Sequence, residues 1–191
     1  MIKDIFARHE RVALQYSGGK DSLACLYLFR EFFDKLTVVW CNTGANFPEI
    51  EESIGRLQNM VPNFIEVRSN QPASILERGY PVDVVPVEYT NIGQTCTTKK
   101  PIKLRSYLEC CSENVWAPMQ QAIEHYGFTA VIRGQRADEG HRAPIKSGYV
   151  ENGIEYIFPL EDWTAEQVLE LLRSHGVDVD NRLGMEHSSL D

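Results

Sequence analysis

Apolar positions along the chain fall into two kinds of run. Val12 to Tyr16 is a short, almost wholly apolar stretch, and Leu36 to Cys41 is a second one rich in β-branched and aromatic residues. Both have the length and composition of buried strands. Between them, Lys20 to about Phe33 is apolar nearly all round, which predicts a helix packed on more than one side. After NTGANFP comes a more polar helix, with Ile50, Ile54, Leu57 and Met60 on one face. Asn63 to Val67 reads as a third, short strand. The order is βαβαβ, and that alternation predicts a parallel sheet covered by helices.

The second half is less regular. Residues 79–98 carry Gly, Pro, Thr and Asn and read as mostly irregular. A helix is predicted from Pro101 to about Cys111, with proline in the first turn where its missing N–H costs nothing. Residues 115–126 read as another helix, Phe128 to Ile132 as a fourth strand, and Ile154 to Phe158 as a short edge strand. The last helix is the best marked. Thr164 and Gln167 have capping-box spacing, Trp163 and Val168 stand where a hydrophobic staple places them, and Gly176 stops the helix. With no repeat or linker, the expectation is one α/β domain over 1–191, a doubly wound parallel sheet flanked by helices.

Composition changes this picture little. Apolar residues make up 43% and charged residues 24%, the balance of a soluble globular chain, and no apolar run is long enough to span a bilayer. The N-terminal MIKDIFARHE is not a secretory signal, so a cytoplasmic location with no membrane partner is the expectation. Five scattered cysteines do not form a disulfide framework.

Charge placement is more informative. Residues 151–191 hold ten acids against two bases, so the net charge of -8 lies in that segment. Lys99, Lys100, Lys103 and Arg105 cluster without an acid, and Arg133, Arg136, Arg142 and Lys146 face only Asp138 and Glu139. Local cations in an acidic chain suit a compact anion better than a long nucleic acid. An ordinary solvated charged face is the other reading.

The chemistry centres on YSGGKDS at the end of the first strand. A strand, a glycine turn and a helix start make an anion cradle, because free backbone N–H groups and the helix dipole point at the turn. Gly18 and Gly19 let the backbone approach a phosphate, Ser17 and Ser22 offer hydroxyls, and Lys20 offers a charge. The Walker loop is excluded, since its first glycine falls on Leu14; GxGxxG is excluded because Gly18 and Gly19 are adjacent.

SGGKDS resembles the PP-loop of the adenine nucleotide alpha hydrolase-like superfamily, which includes ATP pyrophosphatases, FAD synthetases and phosphoadenosine phosphosulfate reductases. Four further segments match in order. NTGANFPEI from Asn42 is similar to D-T-G-x-x-F-P-E-T. CTTKKPIKL from Cys96 is similar to C-x-x-x-K-x-x-P-L, with Lys100 as its lysine. RGQRADEGHRA is similar to G-x-R-x-x-E-x-x-R-A, on Gly134, Arg136, Glu139, Arg142 and Ala143. PLEDWT from Pro159 resembles the P-L-x-D-W-T of the phosphoadenosine phosphosulfate reductase branch.

The resemblance implies a ligand outside the carboxyl ends of the strands. It puts phosphates on Ser17, Gly18, Gly19, Lys20, Asp21 and Ser22, and adenosine near Asn42, Thr43 and Gly44. Asn42 stands where the family often has Asp, so a carboxylate role is lost there. Arg136 and Arg142 would bind phosphate or sulfate oxygens, with Glu139 orienting them and Gly134 opening the loop. Lys99 and Lys100 are further anion contacts, and His141 is either an acid–base group or an exposed loop residue. Lys20, Arg136 and Arg142 are the catalytic candidates.

Intact SGGKDS is typical of the family's ATP users, which cleave between the α- and β-phosphates and transfer adenylate. Mg²⁺ would neutralise the leaving group, with Asp21 as a candidate contact. A sulfonucleotide substrate, adenosine phosphosulfate or phosphoadenosine phosphosulfate, stays open, although the branch's reductases use a C-terminal E-C-G-[LI]-H cysteine and these residues hold none after Cys111. Cys96, Cys110 and Cys111 offer three of the usual four iron–sulfur ligands. A non-catalytic nucleotide-binding subunit is the third alternative. A homo-oligomer or a partner subunit is expected, with nucleic acid reached only through a partner.

Overall fold

A computed structural model describes residues 2–86, 89–96, 102–136, 138–139 and 144–177. In chain order the elements are α1 (Ile2–Arg8), β1 (Val12–Tyr16), α2 (Lys20–Leu28), β2 (Leu36–Asn42), α3 (Pro48–Met60), β3 (Phe64–Arg68), α4 (Gln71–Arg78) and β4 (Tyr80–Pro81). Then come α5 (Asn91–Cys96), β5 (Leu104–Arg105), α6 (Tyr107–Cys111), α7 (Ala117–His125), β6 (Ala130–Ile132), β7 (Tyr149–Glu151), β8 (Ile154–Ile157) and α8 (Ala165–Ser174).

The architecture is α/β, with a mostly parallel sheet flanked by helices. Six strands lie in the order β3-β2-β1-β6-β8-β7. The β1–β2, β1–β6 and β6–β8 pairings are parallel, and β7 pairs antiparallel with β8. The order reverses between β1 and β6, where Leu14 stands opposite Ile132. That is the switch point at which sheets of this kind open a crevice at their carboxyl ends.

The chain divides into two compact units. The first draws its residues from Met1–Trp40, Pro48–Ile65 and Tyr126–Asp191, and the second from Cys41–Phe47 and Glu66–His125. In the first unit Val12, Leu14, Leu36, Val38, Ala130 and Ile132 line a sheet face with essentially no solvent exposure. Leu23, Ala24, Cys25 and Leu26 of α2 join Val168 and Leu172 of α8 in the same core. This is why α2 is apolar all round: it is packed on more than one side. It ends at Leu28 and a 3₁₀ turn, Arg30–Phe32, replaces its last predicted turn.

The second unit has few buried apolar side chains; among its described residues Pro81, Cys110, Met119 and Ile123 are the buried ones of this type. A polar network does much of the ordering. Arg105, with 6% of its side chain exposed, donates through Nη1 to Glu113 at 2.7 Å and through Nη2 to Ser74 Oγ at 2.7 Å. The predicted helix over 101–111 is shorter than expected, because Leu104–Arg105 pairs with Tyr80–Pro81 as a parallel bridge. Pro101 lies outside the described residues. Ile154–Ile157 is not an edge strand, because β7 lies outside it. Asn152 (φ 51°) and Gly153 (φ 80°) form the two-residue turn of that hairpin, and both occupy the left-handed region the tight turn needs.

Candidate functional site

The loop after β1 is built by its own backbone and by two serines. Gly18 sits at φ 90°, a conformation L side chains rarely adopt, and a Cβ there would come within 3.1 Å of Ile50 Cδ1. Gly19 caps α2 in ordinary extended geometry, with φ -78°, so its glycine is not required by conformation. Ser22 is 4% exposed, and its Oγ donates to Gly19 O at 2.9 Å while accepting from Ser17 N at 3.2 Å. Ser17 Oγ lies 3.1 Å from the same hydroxyl and accepts from Gly19 N at 3.3 Å. Ser22 therefore pins the loop, and its hydroxyl proton is committed to the loop's own carbonyl.

The second wall is the segment after β6. A Cβ on Gly134 would lie 2.7 Å from Asp21 C and 2.8 Å from Ser22 N. Those are backbone atoms that cannot yield, so only glycine permits this approach. Two residues on, Arg136 is 8% exposed; its Nε stands 2.8 Å from Asp21 Oδ1, an ion pair whose angle falls short of a hydrogen bond. Its Nη1 donates to Asp138 Oδ1 at 2.7 Å, and its backbone N–H to Glu139 Oε2 at 3.4 Å. Asp138 Oδ2 in turn accepts from Ala165 N at 3.2 Å, at the start of α8. Lys20 Nζ is 3.4 Å from Asp21 Oδ2.

Asp21 is the electrostatic centre of this wall. Burial raises its pKa above the usual aspartate value, and the Lys20 and Arg136 charges oppose that rise. A carboxylate already held between two cations is a poor magnesium ligand. A divalent ion here would take its oxygens from a nucleotide's phosphates and from water.

Asn42, Thr43 and Gly44 lie in the second unit and form a turn of their own. Asn42 Oδ1 accepts from Gly44 N at 2.9 Å and from Asn46 Nδ2 at 2.7 Å, and its Nδ2 donates to Glu66 Oε1 at 2.7 Å. An aspartate has no proton to give Glu66, which accounts for the amide at this position. The Arg68 and Asn42 hydrogen bonds hold the Glu66 carboxyl below its ordinary range.

Lys99, Lys100, His141, Arg142 and Ala143 lie outside the described residues. So does the side chain of Cys96, whose backbone closes α5. Cys110 is buried against Arg105 Nη2 at 3.2 Å, and burial pushes the neighbouring Cys111 thiol up. Among the described residues no three His, Cys, Asp or Glu side chains come together as a metal site. Sequence reasoning missed Asp138 as the link to α8; the Ala165 N–H it accepts sits beside the recognised Thr164 cap, but nothing local pairs the two. A cleft of about 570 Å³, lined by His9, Arg11, Lys35 and Asn63 among others, opens near the amino ends of β1 and β2, away from the loop.

The arrangement is a glycine-rich loop at the switch point of an α/β sheet with a second loop pressed on it, the place where sheets of this class open a ligand crevice. The phosphoadenosine phosphosulfate reductase domain matches residues 11–183, and the chain belongs to that family. It is 25% identical over 171 residues to a phosphoadenosine 5'-phosphosulfate reductase of Serratia proteamaculans, covering 86% of this chain and 62% of that protein. It is likewise 25% identical over 158 residues to an uncharacterized protein of Methanocaldococcus jannaschii, covering 80% of this chain and 33% of that one. The chain thus spans about a third to three fifths of these relatives. The crystal structure of a phosphoadenylyl-sulfate reductase from Candida auris, in a phosphate complex, has the same fold, with TM-score 0.65 at 14% identity, over 97% of this chain and 82% of that one. Among the described residues no helix is long and apolar enough to cross a membrane.

Proposed function

We propose that the chain is an adenine-nucleotide enzyme in which the Ser17–Ser22 loop holds phosphates, and that it cleaves ATP between the α- and β-phosphates. The observation that carries this reading is the loop itself. Gly18 at positive φ turns the chain, α2 begins at Lys20, and the loop opens at the switch point between β1 and β6. An acceptor would attack the α-phosphorus, the bond to the bridging oxygen would break, and pyrophosphate would leave with the electron pair. Lys20 is the cation placed to offset that charge, and the α2 N-terminus adds its dipole. Mg²⁺ on the phosphates would supply the remaining neutralisation.

The family match favours a second reading with the same loop, in which the nucleotide is a sulfonucleotide rather than ATP. Calorimetric titration with ATP, adenosine phosphosulfate and phosphoadenosine phosphosulfate separates the two by which one binds tightest. Lys20→Ala is expected to weaken the preferred nucleotide tenfold or more. Failure of all three to bind the wild-type protein would overturn both readings.

A further inference from the structure

Three arginines among the described residues carry a buried Nε with no hydrogen-bond partner: Arg105, Arg133 and Arg136. Two of them face carboxylates. Arg105 is paired with Glu113, and Arg136 with Asp21 and Asp138. Arg133 differs. Its Nε is buried with no acceptor, and none of its atoms comes within ion-pair distance of an acid among the described residues. Its charge rests on the ring of Tyr156, with Cζ 5.0 Å from the centroid. Burial pulls its pKa down from the usual arginine value, and Tyr156 is the group opposing that shift.

A half-buried guanidinium whose Nε has no acceptor, and which has no carboxylate beside it among the described residues, is unfavourable, and one aromatic face compensates only part of the loss. The position of Arg133 suggests what supplies the rest. It is the first residue past β6, its N–H fixed to Ile157 O at 3.0 Å, at the carboxyl edge of the strand beside β1. The next residue is Gly134, the one pressed against the backbone of Asp21 and Ser22. Arg133 therefore stands at the same switch point as the phosphate loop, one residue from its wall, and it belongs to none of the loop's ion pairs.

We propose that Arg133 binds an oxyanion group of the substrate, a phosphate, sulfate or carboxylate distinct from the phosphates held by Ser17–Ser22. A guanidinium fork donates two parallel hydrogen bonds to such a group. The proposal rests on the switch point being the substrate site, as in the function proposed above. The oxyanion comes either from the nucleotide itself or from a separate acceptor molecule.

The test titrates wild-type protein, Arg133→Met and Arg133→Lys with sodium sulfate, sodium pyrophosphate, ATP and adenosine phosphosulfate, and melts each protein without ligand. Arg133→Met is expected to bind at least one of these anions tenfold more weakly or worse, and to melt at the wild-type temperature or higher. Arg133→Lys, which keeps the charge, should bind more tightly than Arg133→Met. Sulfate that binds alongside saturating ATP assigns the site to a second substrate; sulfate that competes assigns it to the nucleotide. If neither nucleotide binds the wild type but sulfate does, and Arg133→Met abolishes it, Arg133 keeps its role and the nucleotide reading falls. Unchanged anion affinities in Arg133→Met, equal losses in Met and Lys, or no anion binding to the wild type would overturn the proposal.

Discussion

Arg136 Nε stands 2.8 Å from Asp21 Oδ1, so the loop after β6 is tied by charge to the first turn of the helix that follows the Ser17–Gly19 loop. The pair opposes the effect of burial on Asp21, whose pKa is nonetheless raised. Replacing Arg136 by Gln removes one opposing charge, and Asp21 should then titrate higher still. Carboxyl-carbon NMR against pH measures both values. A carboxylate whose folded pKa lies above its unfolded one binds its proton more tightly when folded. Its contribution to stability therefore falls as pH rises from the unfolded value through the folded one. Arg136→Gln should steepen that fall. An unchanged Asp21 titration would show that the pair is not coupled in solution.

Gly134 and Gly18 are both glycines for steric reasons, yet the reasons differ. At Gly134 the obstacle is backbone, Asp21 C at 2.7 Å, whereas at Gly18 it is the flexible tip of Ile50 together with φ 90°. Gly134→Ala is expected to cost about 2 kcal/mol or more by overpacking. That is a fall in melting temperature of about 4–8 °C for a chain of this size. Gly18→Ala should cost about 1–2 kcal/mol of backbone strain. Ile50→Ala should not recover that loss, because the conformation remains forbidden. Thermal melts of the two single variants and of Gly18→Ala/Ile50→Ala decide the matter.

How much of this was legible depended on range along the chain. The loop at Ser17, the strand before it, the helix after it and the Thr164–Gln167 cap are written in neighbouring residues, and the structure has them. The β7–β8 hairpin carried a local signal in Asn152-Gly153, a dipeptide that favours the tight turn, which the strand reading at Ile154 passed over. The shortened helix before Cys111 had no such signal. Leu104–Arg105 leaves the helix because Tyr80–Pro81 pairs with it, and a pairing between distant segments overrides local propensity. The site followed the same rule. Its glycine turn between β1 and α2 was readable, but the engagement of Arg136 by Asp21 and the reach of Asp138 to α8 join separate parts of the sequence.

Asn42 donates its amide proton to Glu66 while its carbonyl holds the turn at Gly44. Asn42→Asp keeps the acceptor and loses the donor, setting two carboxylates against each other. The expected cost is about 1 kcal/mol at neutral pH, since the pair is only partly buried. It should shrink below pH of about 4, as the acids protonate. Melting temperature against pH for both proteins gives the difference, and a gap independent of pH would point to a cause other than charge.

In the second unit the Arg105–Glu113 pair stands in for apolar packing that the described residues lack. Glu113 accepts from Arg105 and Ser74, and those hydrogen bonds hold its carboxyl below the usual glutamate range. A depressed folded pKa means that this stability is present above the unfolded value and is lost as pH falls through the folded one. Glu113→Gln should remove that acid sensitivity and leave Arg105 buried without a counter-charge. The cost is expected to be about 2 kcal/mol, less than for a fully enclosed pair because Glu113 is one third exposed. Arg105→Met, which deletes the buried charge rather than stranding it, should cost less than Glu113→Gln. The reverse order in denaturant titrations would show that the Arg105 hydrogen bonds to Ser74 and Cys110, rather than its charge pairing, hold the unit together.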